Sequence, residues 1–122
     1  MKGERIEWLK KPEPGNYPAA RSYLGLIYED AKVAKLIQRL QRARITRFKA
    51  KDIFRASGLS LLGVSNEHVE KDRKKIRAGK ALSPLLLVRD EAHAKVVIAD
   101  GYHRLCAVYS FDEDAEIPCQ IV

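Results

Sequence analysis

The sequence predicts an α+β fold, with a helical amino-terminal half packed on a small mixed β-sheet. Three observations carry this. Val33, Leu36, Ile37 and Leu40 recur at i, i+3, i+4 and i+7, the stripe of a helix that buries one side. The runs 85–88, 96–98 and 117–122 are short, rich in leucine and β-branched residues, and bounded by turn signals, as buried strands are. At Gly101 the pattern changes period, and Leu105, Ala107, Val108 and Tyr109 then fall on one face of a short helix.

Length and composition bound the answer. The 122 residues are enough for one domain with its own core, and a hydrophobic fraction of 46% against 32% charged residues is that of a globular chain. Within it, 1–58 reads as a mostly helical extension and 59–122 as the sheet-bearing core. No apolar run approaches the ~20 residues needed to span a bilayer. The opening ten residues lack the apolar centre of a signal peptide. A cytoplasmic protein with no membrane partner is the plain expectation. Cys106 and Cys119 have no metal-type spacing and read as small buried residues rather than a disulfide.

The net charge of +7 is unevenly spread. Between Ala31 and Lys51 there are eight Lys/Arg and no acid, whereas Phe111 to Glu116 holds four acids and no base. Such an oriented field attracts polyanions or a nucleotide, though a solvated helix face has the same composition.

Taken in order, residues 1–17 form a loop or arm, because two prolines, Gly15 and Asn16 follow Lys10-Lys11, with Trp8 and Tyr17 pinning it to the body. Helix follows over 18–44, weakened at Gly25 and strongest from Asp30, a plausible cap, to Arg44. Besides its core stripe this helix carries Lys32, Lys35, Arg39 and Arg42 on another face, a row that can lie along a phosphate backbone. No aromatic residue is interleaved with that row, so stacking on single-stranded bases is not indicated there. Ile53 and Phe54 anchor a short helix ended by Gly58. From Ser65 or Asn66 a charged helix runs to Gly79, with Glu67 and Glu70 early and bases late, the order a helix dipole prefers. Its apolar face is thin: Val69, Ile76 and Ala78. Ser83-Pro84 opens the strand 85–88, residues 89–94 turn, and 95–99 returns as a hairpin. Residues 111–116 lead out of the last helix into a final strand, expected at the sheet edge because it contains Pro118.

The chemistry concentrates at Asp100-Gly101-Tyr102-His103-Arg104. A strand, a glycine and a helix with two potentially cationic side chains in its first turn make an anion-binding arrangement, since the first amide N–H groups of a helix lack internal partners. Gly101 lets backbone approach a phosphate, Arg104 offers a planar fork and His103 a titratable donor. Asp100 can cap that turn, and His103 or Arg104 could equally pair with the acidic rim at 112–116.

This stretch, continued through Leu105-Cys106-Ala107, resembles the Gly-x-x-Arg-x-x-Ala signature of the ParB/sulfiredoxin superfamily. The order of elements over about 59–122 is similar too. The resemblance implies a ParB-like, sulfiredoxin-like core that binds a nucleotide (ATP, ADP or CTP) with Mg²⁺ and acts as a nucleotide-dependent kinase, as an NTPase, or as a scaffold without activity. Carried over by position, Gly101, Tyr102, His103 and Arg104 hold phosphates and Asp100 ligates the metal. Tyr102 stands where sulfiredoxins carry their reactive cysteine, and Tyr102-His103-Arg104 stands where partition proteins have Glu-Arg-Arg. The kinase-like members match best. A kinase needs a base to activate the acceptor hydroxyl. Glu67, His68 and Glu70 are candidates, with Asp100 and His103 beside them; as first-turn residues the acids also simply satisfy the dipole.

An alternative of another class comes from Gly63 to Ile76, which looks like the turn and recognition helix of a helix-turn-helix, with Arg73, Lys74 and Lys75 facing DNA. Lys32, Lys35, Arg39 and Arg42 would then add backbone contacts. Against this, the first helix would have to run through Gly58, and Leu59 stands where a small residue normally lets the helices meet.

Overall fold

A computed structural model describes residues 5–62 and 66–122. Its order is α1 (Asn16–Leu24), α2 (Asp30–Arg42), β1 (Thr46–Lys49), α3 (Ala50–Ser57), α4 (Glu67–Arg77), β2 (Leu85–Asp90), a 3₁₀ turn (Glu91–His93), β3 (Lys95–Asp100), α5 (Tyr102–Phe111) and β4 (Glu116–Ile121). The α+β expectation holds, with five α-helices and a four-stranded mixed sheet among the described residues.

The sheet runs β1-β4-β2-β3. The outer pairs β1·β4 and β2·β3 are antiparallel, and β4 and β2 are parallel. Strand side chains alternate between faces, so each face gathers its own helices. Leu85, Leu87, Val96, Ile98, Ile117 and Cys119 pack with buried residues of α3, α4 and α5. Leu86, Val88, Val97 and Ala99 pack with α1 and α2, including all four residues of the 33–40 stripe. A continuous Leu-Leu-Leu-Val run is what a strand covered on both faces requires.

Two expectations are corrected. Pro118 does not mark an edge, because β4 lies inside the sheet. Residues 46–49, to which the sequence reading assigns no strand, take the edge position instead and pair with 116–119. Pro118 is tolerated because the parallel ladder to β2 begins only at Cys119. Phe111 likewise is not part of the exit but the last, buried residue of α5. Two smaller differences follow from local capping. Glu29, not Asp30, caps α2, and Ala43 is already extended, so that helix stops at Arg42. Ala78 is exposed beyond α4, leaving Val69 and Ile76 as its buried residues.

Gly58 ends α3 at φ +68°, as expected. Asn66 caps α4, accepting from the N–H groups of His68 and Val69, whereas Ser65 lies outside the described residues. The arm is pinned as anticipated. Trp8 bridges to Leu82 and packs on the core, and the Tyr17 hydroxyl donates to Gln120 Oε1 at 2.6 Å. No helix among the described residues is long and apolar enough to cross a membrane.

Candidate functional site

β3 ends at Asp100, and Gly101 turns the chain into α5 with φ +112°. A Cβ there would stand 2.7 Å from Leu85 Cγ and 2.9 Å from Arg104 Nη2, so the turn needs glycine for both conformation and space. No side chain caps α5; its first internal bond runs from the Leu105 N–H to the Gly101 carbonyl. The N–H groups of Tyr102, His103 and Arg104 therefore have no intrahelical acceptor.

α4 packs against α5 and completes the site. A polar pocket of about 200 Å³ is lined by His68, Lys71, Asp72 and Lys75 from α4 and by residues 100–104 from the turn. The four α4 residues lie at i, i+3, i+4 and i+7, one face of the helix. The His68 and His103 rings face one another with centroids 4.9 Å apart.

Arg104 donates from Nη2 to Asp100 Oδ2 at 2.8 Å and to the Pro84 carbonyl at 3.3 Å, while its buried Nε has no partner among the described residues. Its carboxylate partner is thus Asp100, not the acidic rim; Asp114 of that rim pairs instead with Lys49 and Lys51. Burial pushes the Asp72 carboxyl above its ordinary pKa, against the pull of Lys75, Arg104, His103 and Lys71. With the Arg104–Asp100 pair cancelling, Lys71, Lys75 and two histidines face the single carboxylate of Asp72. The balance favours an anion.

The expected residues are only partly brought together. Asp100, Gly101, Tyr102, His103, Arg104 and His68 share the pocket. The Glu67 side chain is 91% exposed and does not line it. The Tyr102 hydroxyl donates to the Ser60 carbonyl, tying the turn to the segment after α3. Of the three bases assigned to DNA, Lys75 lines the pocket and Lys74 is exposed. Arg73 lies flat against Phe111, 4.4 Å from the ring centroid, bonds to Ser110 and faces Glu70. Residues 58–62 are not helical, so α3 does not run through Gly58 as a helix-turn-helix would need, and the expected turn Gly63-Val64-Ser65 lies outside the described residues. Lys32, Lys35, Arg39 and Arg42 are exposed on α2, Lys32 over the Tyr28 ring at 4.2 Å.

Lys71 and Asp72 are site residues that the sequence reading passed over. Their spacing with His68 and Lys75 was the available signal, hidden in a helix whose residues are nearly all charged.

Among the described residues no three His, Cys, Asp or Glu side chains are grouped to hold a metal ion. Asp72 and Asp100 offer two carboxylates, which suits Mg²⁺ only where phosphate oxygens and water fill the other positions. No family model, curated protein or solved structure matches the chain.

Proposed function

We propose that the α4–α5 pocket binds the phosphates of a nucleotide, in a domain of ParB/sulfiredoxin type. The observation that carries this is the convergence of Lys71, Lys75 and Arg104 with the uncapped first turn of α5 on one polar pocket. Lysines act as point charges toward phosphate, and the open N–H groups supply directional bonds. The close fit around Gly101 supports a backbone approach at this turn.

Mg²⁺ fits this donor set as a companion of the phosphates, with Asp100 and Asp72 as the carboxylates at hand. When bound, it supplies charge neutralisation during phosphoryl transfer. If the protein turns nucleotide over, as kinase or hydrolase, His68 and Asp72 are better placed as the base than Glu67, which stands outside the pocket. Burial raises the Asp72 carboxyl above its ordinary pKa, the direction that makes its carboxylate the stronger proton acceptor.

Titration calorimetry with ATP, ADP and CTP, with and without Mg²⁺, tests the reading. At least one nucleotide should bind, and Lys75→Ala, a change at a half-buried pocket side chain outside the apolar core, should weaken binding tenfold or more. Absence of binding by every nucleotide, or undiminished binding by a folded Lys75→Ala variant, overturns it.

A further inference from the structure

A second gathering of cationic side chains lies apart from this pocket. The arm before α1 and the corner between α2 and β1 enclose a groove of about 500 Å³. Lys10 and Lys11 stand on the arm side and Arg44 on the corner side, with Tyr17, Pro14 and Ile45 among the surfaces between them. Among the described residues, no acidic side chain lines the groove. All three cations are exposed, and none has a carboxylate within ion-pair distance among the described residues. Three like charges with no described carboxylate in ion-pair reach repel one another, an arrangement relieved by a bound polyanion.

The groove is also preformed. The Leu9 N–H donates to the Leu82 carbonyl at 2.8 Å, and Ser83 Oγ accepts from the Glu13 N–H at 3.0 Å, which fixes the arm. Pro12 is buried and Pro14 restricts the backbone beyond it. On the other wall, Gln120 Nε2 donates to the Ala43 carbonyl at 2.9 Å, while Gln120 Oε1 accepts from Tyr17. The polar heads in the floor are thus paired with each other, and the Tyr17 ring and Ile45 present apolar surface between charged edges. Cations that track a backbone beside an aromatic face are the elements that hold a nucleic-acid strand with its bases unpaired. An acidic peptide would use the charges but leave the ring and the aliphatic surface without a planar partner.

We infer that this groove binds single-stranded nucleic acid, with Lys10, Lys11 and Arg44 on phosphates and Tyr17 beneath a base.

Fluorescence anisotropy with a labelled 12-nucleotide oligothymidine, its duplex and a labelled oligoglutamate tests this on the whole chain. Binding of the single strand should fall with salt with a log–log slope of about −2, three phosphate contacts at roughly 0.7 each. Lys11→Ala or Arg44→Ala should each flatten that slope by about 0.7. Tyr17→Leu should weaken binding at least threefold without changing the slope. Lys80→Ala, an exposed lysine that lines neither pocket, should leave it unchanged. The inference is overturned if the oligothymidine does not bind, if oligoglutamate or duplex binds as tightly, or if the Lys10→Ala/Lys11→Ala/Arg44→Ala variant, folded by its circular dichroism spectrum, binds as wild type does.

Discussion

Arg104 Nη2 and Asp100 Oδ2 lie 2.8 Å apart across the Gly101 turn, and each side chain is only 17% exposed. The pair closes the turn on itself: a residue of the last strand position before the glycine holds one from the first helical turn after it. Through the Pro84 carbonyl, Arg104 also fastens α5 to the entrance of β2. The arginine is therefore a structural strut as well as part of the pocket wall.

Removing one partner should expose that coupling. Arg104→Ala leaves a largely buried carboxylate unpaired, at an expected cost of about 1–3 kcal/mol. The double variant Asp100→Ala/Arg104→Ala should lose less than the sum of the two single changes, by roughly 0.5–3 kcal/mol. Urea unfolding of the four proteins measures this, and strictly additive losses would show that the pair does not act as a unit.

Gly101 and Gly58 both adopt positive φ, but only Gly101 is enclosed. Gly58→Ala, with open space around its Cβ, should cost about 1 kcal/mol from the left-handed backbone alone. Gly101→Ala meets Leu85 and Arg104 as well and should cost more, on the order of 3 kcal/mol. Equal shifts of the unfolding midpoint would contradict the close packing at the turn.

Asp72 should depress stability as pH rises. Its folded pKa is raised above the unfolded value, chiefly by burial, so the folded state binds the proton more tightly. Whatever stability this group adds is fully present below the unfolded pKa and is lost as pH climbs through the higher folded one. Asp72→Asn removes the titration. The thermal midpoint of the variant relative to wild type should therefore rise between pH 3.5 and 7, and a flat difference across that range would refute the assignment.

The thiols should be silent in the native protein. Cys106 and Cys119 are both buried and free, and burial holds the Cys119 thiol up to about 12. Thiolate is the reactive form, so a disulfide reagent at pH 8 should titrate neither cysteine until denaturant is added and both afterwards. Rapid native labelling of either would mean that α5 or β4 opens readily.

Much of the fold was legible because local chemistry carries it. The 33–40 stripe, the leucine run of β2, the glycine stop at 58 and the Asn66 cap each act within a few residues. β1 was not legible, since Thr46–Lys49 is largely exposed and carries two bases in four residues. Only pairing with β4 makes it a strand. The same absence misled the reading of Pro118, because an interior position depends on a neighbour seventy residues earlier in the chain. At the site, the 100–104 turn was readable from its own glycine and bases. Lys71 and Asp72 were not, because a helix rich in charge shows no face until something packs against it.

By itself the sequence determined most of the elements and the glycine turn at 101, since hydrophobic period, glycine backbone freedom and helix-end polarity are short-range effects. Tertiary structure decided which charges meet. It turned Arg73 to Phe111, gave Arg104 to Asp100, set Lys71 and Lys75 over the first turn of α5, and brought Lys10 and Lys11 to Arg44. Coulomb and desolvation energies depend on distance and burial in space, and neither quantity is written in the separation of residues along the chain.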